Sequence, residues 1–265
     1  MKVLFLDAYN LMYRARYGFG KGEHSTIFSF FRSLRPLIEK FKPDQVYFVL
    51  EGYPKQRMAL LPEYKANRVH EDKDGWRRQK KHIIQLMKDS FPVHVVRHAD
   101  YECDDIIGNL VVYTHRNDEC IVVSTDTDFI QLYNQSDNVK LYNPVKKKIV
   151  EPPTYDYVTW KALKGDGSDN IEGFKGIGNK RATSLANNSK MLSEFLSKDN
   201  NQELFDRNHS LIRFHDIEPE LAHLEHAEPH SDWDSVREVF SSLGFYSMTN
   251  DTAWKKYVDT FEGLQ

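Results

Sequence analysis

Residues 120–128 read CIVVSTDTD, an apolar run that is followed closely by Asp126 and Asp128. A short run of β-branched residues that ends in turn-forming residues is typical of a buried β-strand. The same arrangement recurs twice earlier in the chain, at Lys2–Leu6 before Asp7 and at Gln45–Leu50 before Glu51. Each run is therefore predicted to be a strand whose carboxyl end carries acidic side chains.

Strands and helices alternate along the first half of the chain. Pro92–Arg97 is a fourth strand-like run, and the segment 100–105, which is mostly acidic, follows it. Helical patterns fill the intervals, notably Ser25–Phe41 and Arg77–Phe91, as in a parallel α/β sheet. Ligands bind at the carboxyl ends of the strands in such sheets. We therefore expect these acids to converge on one crevice: Asp7, Glu51, Glu102, Asp104, Asp105, Asp126 and Asp128.

Converging carboxylates predict bound cations. Carboxylates within ~4–6 Å of one another raise one another's pKa, so a cluster of them needs shared protons or metal ions. Oxygen ligands favour Mg²⁺ or Mn²⁺, and two such ions ~3.5–4 Å apart can activate water and stabilise the leaving oxygen in phosphodiester hydrolysis. Taken singly, each acid has another explanation, as a turn residue, a helix cap or a residue favoured at a helix start.

The distribution of charge bears on nucleic-acid binding. The 265-residue chain has a net charge of −3, whereas nucleic-acid-binding proteins are usually basic. The charges are segregated, because residues 53–81 contain nine Lys/Arg against four Asp/Glu and are net +5. If cations neutralise nine candidate acids, the seven above and two introduced below, the net charge of −3 becomes +6. A charge run of this kind can also be a solvated face.

The composition disfavours several other classes of protein. Hydrophobic residues make up 40% and charged residues 28%, without repeats or a Pro/Gly/Ser-rich tract, which is typical of a globular protein. No apolar stretch approaches the ~20 residues of a membrane span, so no membrane contact is expected. Cys103 and Cys120 are too far apart for a Cys-x-x-Cys motif, and the eleven histidines show no metal-ligand spacing. No zinc site is predicted, and the histidines are assigned no role.

With these motifs the sequence resembles the flap endonuclease family, which includes phage 5′ nucleases and the 5′ nuclease domain of bacterial DNA polymerase I. The resemblance covers nearly the whole chain. It rests on Leu6–Asn10 with Tyr13-Arg14, on Phe48–Gly52, on Pro62–Arg68, on the acidic motifs at 102–105 and 126–128, and on Leu163–Asn170. Glu51 departs from the pattern, because the family usually has Asp at this place.

The resemblance implies a PIN-like α/β fold and a division of the chain. A parallel-sheet nuclease core would occupy 1–160, a helix-hairpin-helix subdomain 161–205, and C-terminal helices packed on the core 206–265. Residues 53–81 would form an arch that embraces single-stranded 5′ DNA.

The resemblance also assigns roles to individual residues. Asp7, Glu51, Glu102 and Asp104 would surround one metal ion, and Asp126, Asp128, Asp166 and Asp169 would serve the other. Ligands can be shared or act through water, so the sequence does not fix this partition. Asp105 would be a further ligand or would lie behind the ligands. Lys65 and Arg68 inherit the catalytic contacts with the scissile phosphate, and Arg14 and Tyr64 are assigned to DNA binding.

A glycine-rich turn at 173–178 precedes a predicted helix. Glycine permits close approach of the backbone, and the N–H groups at a helix start favour a phosphate. By resemblance, Gly176, Gly178, Lys180 and Arg181 would grip duplex DNA, and K⁺ would bind at the turn. The two basic side chains could equally be solvated helix charges.

The function implied is that of a structure-specific 5′ nuclease, both flap endonuclease and 5′-3′ exonuclease, for replication or repair. It would use two Mg²⁺ or Mn²⁺ ions on branched or 5′-ended DNA. We expect a cytoplasmic monomer, in a bacterium or a phage-infected cell, acting alone or with replication proteins in trans. The alternatives are an RNase H-type activity on RNA primers, a PIN-like ribonuclease, and a junction-binding protein without catalytic activity.

Overall fold

The computed structural model describes residues 1–18, 22–68, 74–198 and 200–264. Residues 69–73 of the predicted arch therefore lie outside the described residues. Within the described ranges there are nine strands: β1 (Lys2–Asp7), β2 (Gln45–Val49), β3 (His94–Arg97), β4 (Glu119–Val123), β5 (Val139–Asn143), β6 (Lys148–Ile149), β7 (Gly165–Asp166), β8 (Ile171–Glu172) and β9 (Glu225–Ala227).

The same ranges contain twelve α-helices: α1 (Ala8–Ala15), α2 (Ser25–Phe41), α3 (Lys55–Leu60), α4 (Asp74–Ser90), α5 (Cys103–Asn109), α6 (Tyr157–Lys164), α7 (Asn179–Ala186), α8 (Ser189–Leu196), α9 (Asn201–Ile212), α10 (Trp233–Ser242), α11 (Tyr246–Thr249) and α12 (Asp251–Phe261). A π-helical turn follows α5 at Leu110–Thr114, and 3₁₀ helices lie at Asp128–Asn134 and Glu218–His223. None of these helices is both long and apolar enough to cross a membrane.

Seven strands form one sheet in the order β6-β5-β4-β1-β2-β3-β9. The five inner strands are parallel, and β6 and β9 pair antiparallel at the two edges. The register sets Asp7 beside Val49 of β2 and Leu6 beside Val123 of β4. The carboxyl ends of three neighbouring strands therefore lie side by side.

Both faces of the sheet are buried, which explains why its inner strands are continuously apolar. Successive strand residues point to opposite faces. Leu4 and Leu6 join a core formed with α1, α2, α4 and the C-terminal helices, whereas Val3 and Phe5 join a core formed with α5 and the helical turns after it. A third cluster packs α6 to α9 together and reaches from Val158 to Ile212.

The predicted α/β class with a central, mostly parallel sheet is confirmed. The four predicted strands and the two long helices are present, with ends within three residues of those predicted. The C-terminal segment is not wholly helical, however, because β9 pairs with β3. Its residues, Glu-His-Ala, carry no apolar alternation because the strand lies at the edge of the sheet.

The predicted domain limits fall inside helices. The limit after residue 160 lies within α6, and the limit after residue 205 lies within α9. Both helices belong to the third cluster, so the packing groups 158–212 together. The division of the chain into domains stays a prediction.

Candidate metal centre

The carboxyl ends of β1 and β2 supply the first acids of the centre. Asp7 is the last residue of β1, and Glu51 follows β2 by two residues. Gly52 comes next, where a Cβ would lie 1.9 Å from the carbonyl oxygen of His98. The chain can therefore pass close to the start of α5, where the Cys103 N–H donates to Oε2 of Glu51 at 3.0 Å.

Cys103 connects acids from separate elements into a first group. Its Sγ lies 3.6 Å from Oδ1 of Asp7 and 3.6 Å from Oε1 of Glu51. Glu102 and Asp104 flank it in sequence, and they offer carboxylate oxygens within 4.8 Å of one another. The structure thus brings together the four acids that were predicted to surround one ion.

A second group contains the other four predicted ligands. Asp128, Asp166 and Asp169 each offer a carboxylate oxygen within 4.8 Å of the others. Asp126 adjoins them, because its Oδ1 accepts the N–H of Asp128 at 2.9 Å. Ser124 links the two groups: its Oγ donates to Oδ2 of Asp7 at 2.7 Å and accepts the N–H of Asp126 at 3.0 Å.

Lys161, on α6, lies inside this second group, and the sequence did not single it out. Its Nζ contacts Asp128 and lies 2.6 Å from Oδ2 of Asp166. Burial and the neighbouring Asp126 raise the pKa of Asp128 to about 6. Burial opposes the ionisation of Asp166 as well, but Lys161 outweighs it and lowers the pKa of that carboxyl to about 2. An internal cation therefore offsets part of the repulsion.

Of the predicted catalytic pair, Lys65 lies between the two groups and Arg68 lies beside the second group. Nζ of Lys65 contacts Glu102 and is 4.0 Å from Oδ2 of Asp169, and the guanidinium of Arg68 contacts Asp169. Lys65 has a φ of 59°, a left-handed conformation that is costly for a side chain with a Cβ. Its N–H donates to the carbonyl oxygen of Asp169 at 3.0 Å, which helps to hold this conformation.

The position of Tyr64 does not support its predicted role in DNA binding. Stacking on a base requires an exposed ring face, and Tyr64 is only 5% exposed. Its hydroxyl lies 3.1 Å from Oε2 of Glu102 and 3.2 Å from Oδ2 of Asp169, so its single proton is shared between the two groups of acids. Tyr64 therefore holds the carboxylates of Glu102 and Asp169 in position and does not offer a ring face to a nucleobase.

For Asp105, which was predicted to be either a further ligand or a residue behind the ligands, the contacts favour the second alternative. Arg57 donates to both of its oxygens, at 2.5 and 2.9 Å, and the N–H of His215 donates to Oδ1 at 2.8 Å. The side chain is fully buried and both of its oxygens already accept hydrogen bonds, which favours a position behind the ligands. Arg57 was counted in the basic arch, but it is buried and also donates to Glu102 at 2.8 Å.

The balance of charge at the centre fits divalent cations. Burial raises the pKa of Glu51 to about 7, with Glu102 adding to the effect, and burial also raises the pKa of Asp7 and of Asp104. Among the described residues, four cationic side chains contact the nine predicted acids: Arg57, Lys65, Arg68 and Lys161. The carboxylates therefore exceed these cations by five. The cleft beside the second group has a volume of about 360 Å³ and is lined mainly by polar side chains. Oxygen donors of this kind suit Mg²⁺ and Mn²⁺.

The predicted duplex-binding residues lie on the turn before α7 and in the first turn of that helix. Gly176 has a φ of 77°, which glycine adopts without strain, and Gly178 is the N-cap of α7. Lys180 and Arg181 are exposed in its first turn. Arg14, the remaining predicted DNA contact, is half-buried on α1.

Carboxylates gathered at the carboxyl ends of a parallel sheet form a site of the metal-dependent nuclease class. Residues 2–161 match the family model described as the N-terminal, resolvase-like domain of 5′-3′ exonucleases. The chain belongs to this 5′-3′ exonuclease family.

Relatives and solved structures agree with this membership. A 5′-3′ exonuclease of Mycoplasmopsis pulmonis is 28% identical over 73% of this chain and 68% of its own length. A DNA polymerase I of Caldicellulosiruptor bescii is 29% identical over 80% of this chain, which spans only 27% of that polymerase.

The fold is shared with two proteins whose structures contain DNA. One is the flap endonuclease of bacteriophage T5 in a complex with DNA and metal ions. Its superposition covers 99% of this chain and 99% of its own, with a TM-score of 0.66 and 21% identity. The catalytic core of Rad2 with a DNA substrate covers 98% of this chain and 92% of its own, with a TM-score of 0.56 and 13% identity.

Proposed function

We propose that the chain is a structure-specific 5′ nuclease, both flap endonuclease and 5′-3′ exonuclease, that hydrolyses DNA near 5′ ends and branch points. The observation that carries the proposal is the position of Lys65 between the two groups of acids, with Arg68 beside the second group. A scissile phosphate that reaches these two cations would lie beside both groups. Family membership adds the 5′ polarity of the reaction.

The acids would hold two Mg²⁺ or Mn²⁺ ions, one in each group. Bound there, the ions would lower the pKa of a water and neutralise charge on the leaving oxygen. Tyr64 and Ser124 keep the two groups at a fixed separation through hydrogen bonds to acids of both. Lys161 keeps Asp166 ionised and therefore available as a ligand.

Lys65 and Arg68 would bind the phosphate and offset the charge that develops on it. In the absence of DNA their cationic groups contact Glu102 and Asp169. A substrate phosphate would compete with these carboxylates for the same donors. Binding of metal ions by the acids would favour the exchange, because the carboxylates would then be neutralised.

The proposal extends to partners and place. The protein would act as a monomer in the cytoplasm on branched or 5′-ended DNA, in replication or repair, with any replication proteins recruited in trans. K⁺ would bind at the turn that contains Gly176 and Gly178, where the backbone is exposed.

A cleavage panel tests the proposal. Labelled 5′-flap, nicked, gapped and RNA-primed duplexes would be incubated with Mg²⁺, with Mn²⁺ and with excess chelator. We expect cuts near 5′ ends and branch points, with a 5′-phosphate and a 3′-hydroxyl, in either metal and none in chelator. Full turnover in chelator would refute the metal mechanism, and preference for the RNA-primed strand would favour the RNase H-type alternative.

Lys65→Ala should lower the maximal rate far more than the affinity for DNA. If Lys65 stabilises the phosphate mainly in the transition state, its loss costs ~10²–10³ in rate, as for other single electrostatic donors. Single-turnover cleavage and DNA binding would be measured on the same flap. Lys80→Ala is the matched control, because Lys80 lies on α4 with its Nζ 4.7 Å from the ring of Tyr9. An unaltered maximal rate for Lys65→Ala would remove this residue from the mechanism.

Replacing Lys180 and Arg181 together by Ala should weaken duplex binding and flatten its salt dependence. About two phosphate contacts would be lost, which reduces the slope of log K against log salt by ~2. The rate at saturating substrate should change little. The control is Lys190→Ala/Lys198→Ala, which removes two exposed charges elsewhere in the same helical cluster. If the two double variants have the same slope of log K against log salt, Lys180 and Arg181 are solvated charges that make no phosphate contact.

A further inference from the structure

Three side chains with metal-binding atoms, His94, His226 and Glu228, lie close together at the β3–β9 edge. Nδ1 of His94 lies 2.9 Å from Nε2 of His226. Oε2 of Glu228 lies 3.7 Å from Nδ1 of His94, and its Oε1 lies 3.3 Å from Nδ1 of His226. One ligand atom from each residue falls within 4.8 Å of the other two. His94 is the first residue of β3, so the group lies toward the end of the sheet opposite the acidic centre.

The strand register explains how residues so distant in sequence meet. β3 and β9 are antiparallel, with Val95 opposite Ala227 and Val96 opposite His226. His94 is two residues from Val96, so it points to the same face of the sheet as His226. The register continued by one residue sets Glu228 opposite His94 on that face. The 132-residue separation of the histidines also explains why their spacing gave no signal.

The geometry of this group is close to that of a coordination site. Tetrahedral zinc with nitrogen ligands at ~2.0–2.1 Å holds two nitrogens about 3.3 Å apart. The histidine pair would have to open by about 0.4 Å from its present 2.9 Å. The His94 ring is held by Tyr47, which stacks on it with centroids 4.5 Å apart and planes 17° apart. Glu228 is 75% exposed and can adjust, which leaves a further position for water.

The chemistry of the donors selects the ion. Burial, with His226 adding to the effect, lowers the pKa of His94 and so favours the neutral imidazole that binds metals. Two imidazoles and one carboxylate suit a borderline ion, whereas Mg²⁺ prefers oxygen ligands throughout.

We propose that His94, His226 and Glu228 bind one Zn²⁺ ion, separate from the ions of the acidic centre. The ion would tie edge strand β9 to β3. Because β9 precedes α10, the ion would also fix the start of the C-terminal helices on the core. Its role is structural, and it takes no part in the cleavage reaction.

Zinc binding would be measured with the full chain in millimolar Mg²⁺, which occupies sites that prefer hard ions. Free Zn²⁺ would be followed by competition with a chromogenic chelator. We expect His226→Ala to lose one tightly bound equivalent relative to the wild type, and Glu228→Gln to bind that equivalent more weakly. His223→Ala is the matched control, because it removes an exposed histidine that pairs with Glu220 at 3.1 Å. The His223→Ala variant should bind as many equivalents of Zn²⁺ as the wild type.

Thermal unfolding gives a second readout. Zn²⁺ at a hundredfold excess over Kd should raise the Tm of the wild type and of His223→Ala by roughly 5–10 °C. The Tm of His226→Ala should rise far less, while its cleavage rate in Mg²⁺ stays that of the wild type. Equal zinc stoichiometry in the wild type and His226→Ala would overturn the proposal. Because His226 is on the exposed edge, this variant should fold even if substitution of the buried His94 prevents folding.

Discussion

Asp126→Asn should bind flap DNA and yet lose cleavage in Mg²⁺ by roughly 10³-fold or more. The substitution removes one negative charge that we propose to hold a metal ion, and the loss of several kcal/mol of metal-dependent stabilisation corresponds to a rate effect of this order. The shape of the turn should survive. Oδ1 of Asp126 accepts the N–H of Asp128 at 2.9 Å, and the amide oxygen of Asn can accept it in the same way.

The measurement is a single-turnover rate on a labelled flap, with DNA binding and the Tm measured on the same preparations. Asp137→Asn is the matched control, because it also removes one exposed negative charge, but near the amino end of β5. The control should cleave like the wild type. Cleavage by Asp126→Asn within tenfold of the control would show that Asp126 does not hold a metal ion needed for catalysis.

Arg57→Ala should destabilise the fold by about 3–5 kcal/mol, because it leaves the buried carboxylate of Asp105 without its cation and leaves Glu102 with Lys65 alone. Arg57 is 2% exposed and donates to Glu102 and Asp105. It also donates to the carbonyl oxygens of Leu211 and Arg213, at 2.8 and 3.1 Å. One side chain therefore joins α3, the start of α5 and the end of α9, and its loss affects all three.

Urea denaturation in chelator would measure this effect without a contribution from metal ions. Lys55→Ala is the control, since Lys55 lies two residues earlier and forms an exposed ion pair with Asp100 at 2.9 Å. Its replacement should change the unfolding free energy far less. The double variant Arg57→Met/Asp105→Asn should recover part of the loss, because it removes a carboxylate together with the cation. A similar stability for Arg57→Ala and Lys55→Ala would refute the role of Arg57 as a buried link.

The acids could be predicted from the sequence because each follows a strand that the pattern identifies. Asp7, Glu51 and Asp126 come after apolar runs, and parallel strands bring their carboxyl ends to one edge. The edge strands β6 and β9 could not be predicted in this way. They are two and three residues long and carry polar residues, so neither has the alternation that marks a buried strand.

The supporting residues of the centre were missed for a different reason. Arg57 and Tyr64 occur in a basic segment that the sequence assigns to a surface arch, and nothing local indicates that both are buried. Lys161 occurs as an ordinary basic residue near the end of a helix, with no local sign of its acidic partners. Burial of a charged side chain depends on partners from distant segments. Such partners become visible only when the chain is folded.

The short path from the acids to the glycine turn has a geometric consequence for the products of the proposed reaction. Asp166 and Asp169 lie in the β7–β8 ribbon, and the Phe174 N–H after it donates to the carbonyl oxygen of Leu163 at 3.0 Å. Gly176 follows two residues later. If the glycine turn binds duplex DNA and the acids cut it, as proposed, the distance between the bound duplex and the cutting position would be constant. An enzyme built in this way measures its incision from the start of the double helix, so the site of the cut would not move with the length of the flap.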